Sequence, residues 1–185
     1  MDVAAIIAAL HAELPDAACE ALASTDRPTF AVPRERWLDA ARVLRDAPAL
    51  RFTLTDVTAV DRWPGEPRFE VVYHLLAIDH PALLRVKVLA PRDDPHVPTV
   101  CGVWTSANWL EREVWDLFGV VFDGHPDLRR LMMPEDWEGH PLRKDYPVQI
   151  KMTPKVYAPL QMTEQEFQAQ IIADRGVRGA SKKDV

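Results

Sequence analysis

The sequence predicts an α+β fold: a two-layer domain with helices on one face of a mixed β-sheet, followed by an extended Pro-rich C-terminal strap. Periodic segments follow one another in the order α-β-α-β-β-β, the arrangement typical of this class. The 185 residues include 16 Pro but only 7 Gly, which favours stiff connections because proline locks φ. Hydrophobic residues make up 48 % of the chain, enough for a globular core.

The first three elements are a helix, a strand and a second helix. Residues 3–14 carry one apolar stripe and predict a short helix. Residues 29–32 predict a strand that ends at Pro33, and this proline suits the first turn of a helix over residues 34–46.

Three further strands complete the predicted sheet. Residues 51–60 are rich in Thr and β-branched side chains. Residues 69–78 are apolar on both faces, which indicates a central strand covered on both sides. Residues 84–90 alternate apolar and basic side chains, as a half-solvated strand does.

A third helix is predicted over residues 107–118, capped by Thr105 or Ser106 and followed by Gly119 as its C′ residue. Its apolar arc lies opposite Arg112, Glu113 and Asp116. Arg112 and Asp116 stand four residues apart and predict an ion pair along the helix.

Glu111 falls inside the apolar arc of this helix, where a bare carboxylate costs several kcal/mol. Two interpretations stay open. Either Glu111 lies at the edge of the arc and reaches water, or it forms a structural ion pair with Arg129, Arg130 or Arg143.

The chain divides into three parts. Residues 1–98 form the α+β domain, and residues 99–147 add the third helix with irregular loops packed on that domain. Residues 148–185 form the strap, a short helix and a tail. Thr163 and Glu166 form a capping box that opens this helix toward Ile172, and residues 175–185 predict a frayed polar tail.

Charge and cysteine content exclude several classes of protein. The net charge of −6 and the absence of a basic stripe argue against a nucleic-acid binder. Two distant cysteines, Cys19 and Cys101, cannot hold an iron–sulfur cluster or a cysteine zinc site. No apolar run approaches the roughly 20 residues that span a bilayer, and no secretory signal is evident, so we expect a cytoplasmic chain.

Two similar turns contain histidine: Gly124-His125-Pro126 and Gly139-His140-Pro141. A hydrolase-like metal site could be built from these histidines with Asp123, Asp127 or Glu138, but their spacing matches no compact ligand motif. The alternative is that each imidazole hydrogen-bonds the backbone and holds an irregular loop in one shape.

The run from residue 111 to residue 147 carries a specific series of motifs. They are Glu111-Arg112-Glu113, Asp116-Leu117-Phe118, His125, Arg129, Leu131-Met132, and the stretch Pro134-Glu135-Asp136-Trp137-Glu138-Gly139-His140-Pro141-Leu142-Arg143-Lys144-Asp145-Tyr146-Pro147. This run resembles the C subunit of respiratory NADH-quinone oxidoreductase (complex I), the thirty-kilodalton subunit family. The resemblance covers residues 1 to about 160.

The resemblance implies an accessory role in an electron-transfer complex. Members of the family lie in the peripheral arm, on the cytoplasmic side of the bacterial membrane. They bind the D subunit and the neighbouring iron–sulfur subunits. NADH, FMN, the iron–sulfur clusters and quinone would be handled by those neighbours, so no catalytic, cofactor or metal site is expected in this chain. A homologous subunit of a membrane-bound hydrogenase, a free-standing metal-dependent hydrolase and an independent binding module are the alternatives.

Two segments are predicted to contact partners. Residues 148–162 interleave apolar and polar side chains, among them Ile150, Met152 and Tyr157, and residues 148–172 are predicted to wrap a neighbouring subunit. In the second segment, the basic residues are predicted to form interleaved ion pairs with nearby acids that fix the loops and dock a partner. These basic residues are Arg129, Arg130, Arg143 and Lys144, and the acids are Asp127, Glu135, Asp136, Glu138 and Asp145.

Overall fold

Eleven helices and strands are present in the computed structural model, which describes residues 3–77, 79, 82–147 and 163–180. In chain order they are α1 (Val3–Glu13), β1 (Glu20–Ala21), β2 (Thr29–Val32), α2 (Arg34–Asp46), β3 (Phe52–Asp61), β4 (Phe69–Ala77), β5 (Ala82–Ala90), β6 (His96–Pro98), α3 (Ala107–Phe118), β7 (Val121–Asp123) and α4 (Glu164–Ala180).

Five strands form a mixed sheet in the order β1-β2-β5-β4-β3. Strands β2 and β5 are parallel, whereas the other neighbours are antiparallel. This sheet confirms the predicted α+β class. Strands β6 and β7 form a separate parallel pair that the sequence analysis missed, because three residues are too few to show an alternation.

The inner face of the sheet carries the core. In β5 the buried residues Leu84, Val86 and Val88 alternate with more exposed ones, as the half-solvated pattern predicts. In β4 almost every residue is buried on either face, in agreement with a central strand. Helix α2 packs on the inner face, where the ring of Trp37 lies 4.3 Å from the ring of Tyr73.

Most predicted boundaries lie within two residues of the observed ones. Helices α2 and α3 have the predicted bounds. Helix α4 begins with the predicted capping box, because the N–H of Thr163 donates to the Glu166 carboxylate at 2.8 Å. The helix continues to Ala180, so the predicted tail is wrong for residues 175–180, which are helical.

The ends of α3 follow different rules. Ser106 makes no capping bond, and its hydroxyl instead contacts the Leu54 carbonyl at 3.5 Å, so the predicted side-chain cap is wrong for Ser106. At the other end Gly119 adopts the expected left-handed conformation, with φ of 76°, and its N–H donates to the Trp115 carbonyl at 2.8 Å.

The chain forms two units, Met1–Tyr146 and Pro147–Val185. The prediction that residues 148–162 form an extended strap lies outside the described residues. None of the helices in the described part of the chain has the length and apolarity that a membrane crossing requires.

Candidate functional site

Residues 124–146, here named the charged segment, have little regular structure but are held in place by side chains of α3. The guanidinium of Arg112 is buried and donates to the carbonyls of Arg129 and Arg130, both at 3.0 Å. It also lies 5.0 Å from the ring of Trp109 on the same helix. Arg112 therefore positions backbone atoms. The predicted ion pair between Arg112 and Asp116 is wrong, because each binds the charged segment instead.

Asp116 is the second anchor on α3, and its side chain is fully buried. Arg130 donates to one carboxylate oxygen at 2.6 Å. The other oxygen accepts N–H groups from three successive residues at 2.7 to 3.0 Å, namely Leu131, Met132 and Met133. Burial would raise the pKa of Asp116, but these four donors keep the pKa below its ordinary value.

Arg130 continues the network away from the helix. Its guanidinium also donates to the carbonyls of Trp137 at 2.6 Å and Gly139 at 3.0 Å. One side chain therefore joins Asp116 to two points of the charged segment. The planar five-donor geometry of arginine suits this role, whereas a lysine ammonium could not span the same acceptors.

The two histidines bind backbone groups, as one of the two sequence interpretations expected. The Nε2 atom of His125 lies 3.1 Å from the Asn108 carbonyl, and its Nδ1 accepts the N–H of Asp127 at 3.0 Å. The Nδ1 atom of His140 lies 2.9 Å from the Asp116 carbonyl. Burial lowers the pKa of His140, so the neutral imidazole is favoured.

Gly119 provides the space in which the end of the charged segment approaches α3. A Cβ atom at this position would collide with the guanidinium of Arg143 and the ring of His140. Arg143 donates to the carbonyls of Phe118 at 2.5 Å and Gly119 at 3.3 Å, both at the C-terminus of the helix. A cation is favourable at this end because the helix dipole is negative there.

A separate set of contacts, made by Arg68, joins the charged segment to the ends of β3 and β4. Arg68 is buried and donates to Asp61 at 2.9 and 3.0 Å and to Asp145 at 2.6 and 3.0 Å. Asp61 also accepts the N–H of Lys144 at 2.8 Å. Burial would raise the pKa of Asp61, but Arg68 and the N–H groups of Lys144 and Trp63 lower it to about 2.

Glu111 corrects both sequence interpretations. Its carboxylate is fully buried, so it does not reach water at the edge of the arc. Its hydrogen-bond donors are the hydroxyl of Thr99 at 2.5 Å, the N–H of Val100 at 2.8 Å and the thiol of Cys101 at 3.4 Å, and none of these three is an arginine. These neutral donors offset part of the desolvation, but burial prevails and raises the pKa of Glu111 to about 6.

The predicted interleaved ion pairs are only partly present. Arg129 is 69 % exposed and binds Asp127 at 2.8 Å. Arg130 binds Asp116 on α3, and Asp145 binds Arg68 from the sheet, so these pairs lie between the charged segment and the domain. Arg143 binds carbonyls where an acid was predicted.

The remaining candidate residues have structural contacts or stay untested. The hydroxyl of Tyr146 donates to the Glu138 carbonyl at 2.9 Å. Glu113 is half-buried, and the side chain of Lys144 is exposed. Whether the candidate residues contact a partner stays a prediction. Ile150, Met152 and Tyr157 lie outside the described residues.

One group in the described part of the chain brings together three side chains of metal-binding type: Cys101, Glu111 and His125, with potential ligand atoms within 4.8 Å of one another. Both ring nitrogens of His125 already have backbone partners, and burial helps to raise the pKa of the Cys101 thiol to about 11. A metal would have to displace these hydrogen bonds and ionise the thiol. The group therefore carries no metal-site proposal.

Sequence analysis missed Arg68 and Asp61, which belong to different elements from the charged segment. A signal for Asp61 was present, because alternation in β3 places it on the same face as the buried residues Val57 and Ala59. A charged residue at a core-facing position requires a partner. Nothing in the local pattern identified that partner as Arg68.

The site is suited to presenting a rigid surface. The polar groups of Arg112, Asp116 and Arg130 bind other parts of this chain. Among the described residues, several large apolar side chains on or near the segment are substantially exposed. They are Trp109 at 60 %, Met132 at 61 % and Leu142 at 48 %. Charged groups that fix an irregular backbone beside exposed apolar side chains are typical of a surface that contacts another protein.

Comparisons with known proteins identify relatives of the chain. A family model described as the 30 kDa subunit of respiratory-chain NADH dehydrogenase matches residues 30–151. The C subunit of the NADH-quinone oxidoreductase of Roseiflexus sp. (strain RS-1) is 46 % identical over 149 residues, which cover 80 % of this chain and 86 % of the relative.

Two solved structures share the fold. A trypsin-resistant fragment (1–134) of Nqo5 matches with a TM-score of 0.53 and 32 % identity, covering 69 % of this chain and 100 % of the fragment. A chain of the membrane-bound sulfane sulfur reductase, an archaeal respiratory membrane complex, matches with a TM-score of 0.67 and 28 % identity, covering 87 % of this chain and 96 % of that one.

Proposed function

Because the chain belongs to the family of the 30 kDa subunit of respiratory-chain NADH dehydrogenase, we propose that it is the scaffold subunit in the peripheral arm of a proton-translocating NADH-quinone oxidoreductase. The complex transfers electrons from NADH through FMN and iron–sulfur clusters to quinone. The observation that carries the scaffold role is the fixation of the charged segment by Arg112, Asp116 and Arg130, whose polar groups bind backbone and side chains of the same chain.

The proposal assigns no active site and no redox centre to this chain. FMN, the clusters and the quinone site would lie in neighbouring subunits. The composition supports this assignment, because two cysteines cannot supply the about four thiolates that a cluster requires. The protein would therefore contribute to electron transfer by holding the redox-active subunits at fixed positions.

The proposed partners are the D subunit and the adjacent iron–sulfur subunits, on the cytoplasmic side of the membrane. The exposed side chains of Trp109 and Met132 support a protein partner, because aromatic residues and methionine are enriched at interfaces. Residues 148–172 would wrap a neighbouring subunit, since prolines at positions 154 and 159 lower the entropy lost when an extended segment binds.

The wrapping role is tested by a chain truncated after Pro147. This variant retains the charged segment together with its contacts to α3 and to Arg68. We therefore expect a folded domain that fails to co-purify with the D subunit from membranes. Circular dichroism and thermal unfolding check that the domain folds. Normal recovery of the complex with the truncated chain would contradict the wrapping role while leaving the family membership untouched.

Docking by the charged segment is tested by comparing Arg129→Ala with Arg130→Ala. Arg129 is 69 % exposed and binds Asp127 at the surface, whereas the Arg130 side chain is only 13 % exposed and links Asp116 to the charged segment. We expect Arg129→Ala to leave the unfolding temperature of the isolated chain within about 2 °C of wild type, because surface changes usually alter stability by no more than about 0.5 kcal/mol. It should nevertheless reduce the yield of assembled complex.

Arg130→Ala should lower both the unfolding temperature and the yield. Quinone kinetics of the residual complex serve as the control readout in both variants. Full assembly of the Arg129→Ala complex with weakened quinone binding would contradict the scaffold assignment, since it would place Arg129 in a functional channel.

A further inference from the structure

Glu111 is a buried acid that the scaffold role does not use. Its carboxylate joins α3 to the turn that precedes it, through the hydroxyl of Thr99, the N–H of Val100 and the thiol of Cys101. We name this set of four residues the α3 anchor. Helix α2 also contacts this turn, because the guanidinium of Arg45 donates to the Val103 carbonyl at 2.9 Å. Arg45 therefore binds the backbone of the turn.

The charge of Glu111 has no compensating cation among the residues that the structure describes. The other titratable groups around it are Cys101 in the turn, His125 in the charged segment and Tyr73 on β4. Within the described ranges, no lysine, arginine or histidine forms a salt bridge with Glu111, and the hydrogen bonds of His125 engage Asn108 and Asp127. Three neutral donors stabilise a buried carboxylate less than a cation with several donors does.

Asp116, five residues further along α3, shows the opposite arrangement. It is equally buried, but it has Arg130 and three N–H donors. The same helix thus carries one carboxylate that is built to stay ionised and one that is not. We propose that Glu111 is a proton-binding group, and that uptake of one proton stabilises the folded chain by removing an uncompensated buried charge.

Proton uptake by Glu111 links folding to pH. Burial, the dominant cause, raises the pKa of Glu111 to about 6 from the ordinary 4.5. The folded chain therefore binds this proton more tightly than the unfolded chain does. The contribution is fully present below pH 4.5 and is lost as pH rises from there through 6. Burial raises the pKa of Tyr73, and the nearby negative charge of Glu111 raises the Tyr73 pKa further.

The test uses the full-length chain and the variant Glu111→Gln, which keeps the shape and removes the ionisation. Folding equilibrium constants are measured by urea unfolding between pH 7 and pH 5. We expect the ratio of the wild-type constant to the variant constant to increase about eightfold as pH falls over this range, which corresponds to the cited pKa change. The control is Glu113→Gln, which removes a half-buried carboxyl on the same helix. For this variant the ratio of the wild-type folding constant to the variant constant should not show the eightfold increase.

Carbon-13 NMR of the wild-type glutamate carboxyls gives a second measurement that does not depend on whether the variant folds. One glutamate carboxyl, assigned to Glu111, should titrate with a midpoint near 6. A midpoint at or below 4.5 would overturn the proposal. So would a ratio of folding constants for wild type and Glu111→Gln that stays constant between pH 7 and pH 5.

Discussion

At the scale of single residues, partners decide what a buried charge does. Glu111 and Asp116 are both fully buried on α3, yet the pKa of the first is raised and that of the second is lowered. The difference is Arg130 together with three backbone donors on Asp116, against a hydroxyl, a thiol and one N–H on Glu111. Burial alone therefore does not indicate the protonation state of a carboxyl group.

Arg68→Lys tests whether the partners of a buried charge decide its contribution, at the contacts that join Asp61 and Asp145. A lysine ammonium cannot make paired hydrogen bonds to both Asp61 and Asp145, and the Asp61 carboxylate would lose part of its compensation. We expect a loss of about 1–3 kcal/mol in the free energy of unfolding, less than the roughly 3–5 kcal/mol of a fully broken buried pair. Urea unfolding at pH 7 measures it.

Arg62→Lys is the matched control for this change. The Arg62 guanidinium is 52 % exposed and lies 3.7 Å from Glu70, so the same substitution there should alter the free energy by no more than about 0.5 kcal/mol. Equal losses of unfolding free energy in the Arg62→Lys and Arg68→Lys variants would contradict a stabilising role for the paired hydrogen bonds of Arg68.

At the scale of elements, α3 organises the site because several of its faces have polar contacts. Arg112 and Asp116 hold the charged segment, Glu111 holds the preceding turn, and the C-terminal carbonyls bind Arg143. A helix of 12 residues is only marginally stable in isolation. Here the irregular segment supplies the partners, so helix and segment stabilise one another.

Gly119→Ala tests the C-terminus of α3. The left-handed φ of 76° would strain any side chain, and the new Cβ would displace Arg143 and His140. We expect a loss of at least about 1–2 kcal/mol from the backbone conformation alone. Thermal unfolding measures the loss.

Gly102→Ala is the control, because a Cβ there would meet nothing within 4 Å and its φ is not left-handed. Equal unfolding temperatures for the Gly119→Ala and Gly102→Ala variants would contradict the proposed role of Gly119.

At the scale of the whole molecule, stability depends on carboxylates of two kinds. The pKa values of Asp61, Asp116 and Asp145 are lowered, by Arg68, Arg130 and backbone donors acting against burial. Such groups contribute stability that is present above their ordinary value of 3.8 and is lost as pH falls through their folded values. Glu111 contributes stability with the opposite pH dependence, because its contribution is lost as pH rises from 4.5 through 6.

The full-length chain should therefore lose stability steeply as pH falls below about 4, because Asp61, Asp116 and Asp145 take up protons more readily in the unfolded chain than in the folded one. Urea unfolding midpoints from pH 7 to pH 2 measure this profile. Asp116→Asn should make the acidic limb shallower than in wild type, because one of the titrating groups is removed. An unchanged midpoint between pH 4 and pH 2 would contradict the assigned carboxylate network.

The sequence by itself determined the α+β class, the bounds of α2 and α3 and the family, because these depend on periodicity and on contiguous motifs. Only the tertiary structure decided the partners: that Asp116 binds Arg130 and not Arg112, that Arg68 joins Asp61 to Asp145, and that the donors to Glu111 are neutral. Local pattern predicts which face of a helix a side chain occupies. Which distant residue meets it depends on the path of the whole chain, and no local pattern contains that information.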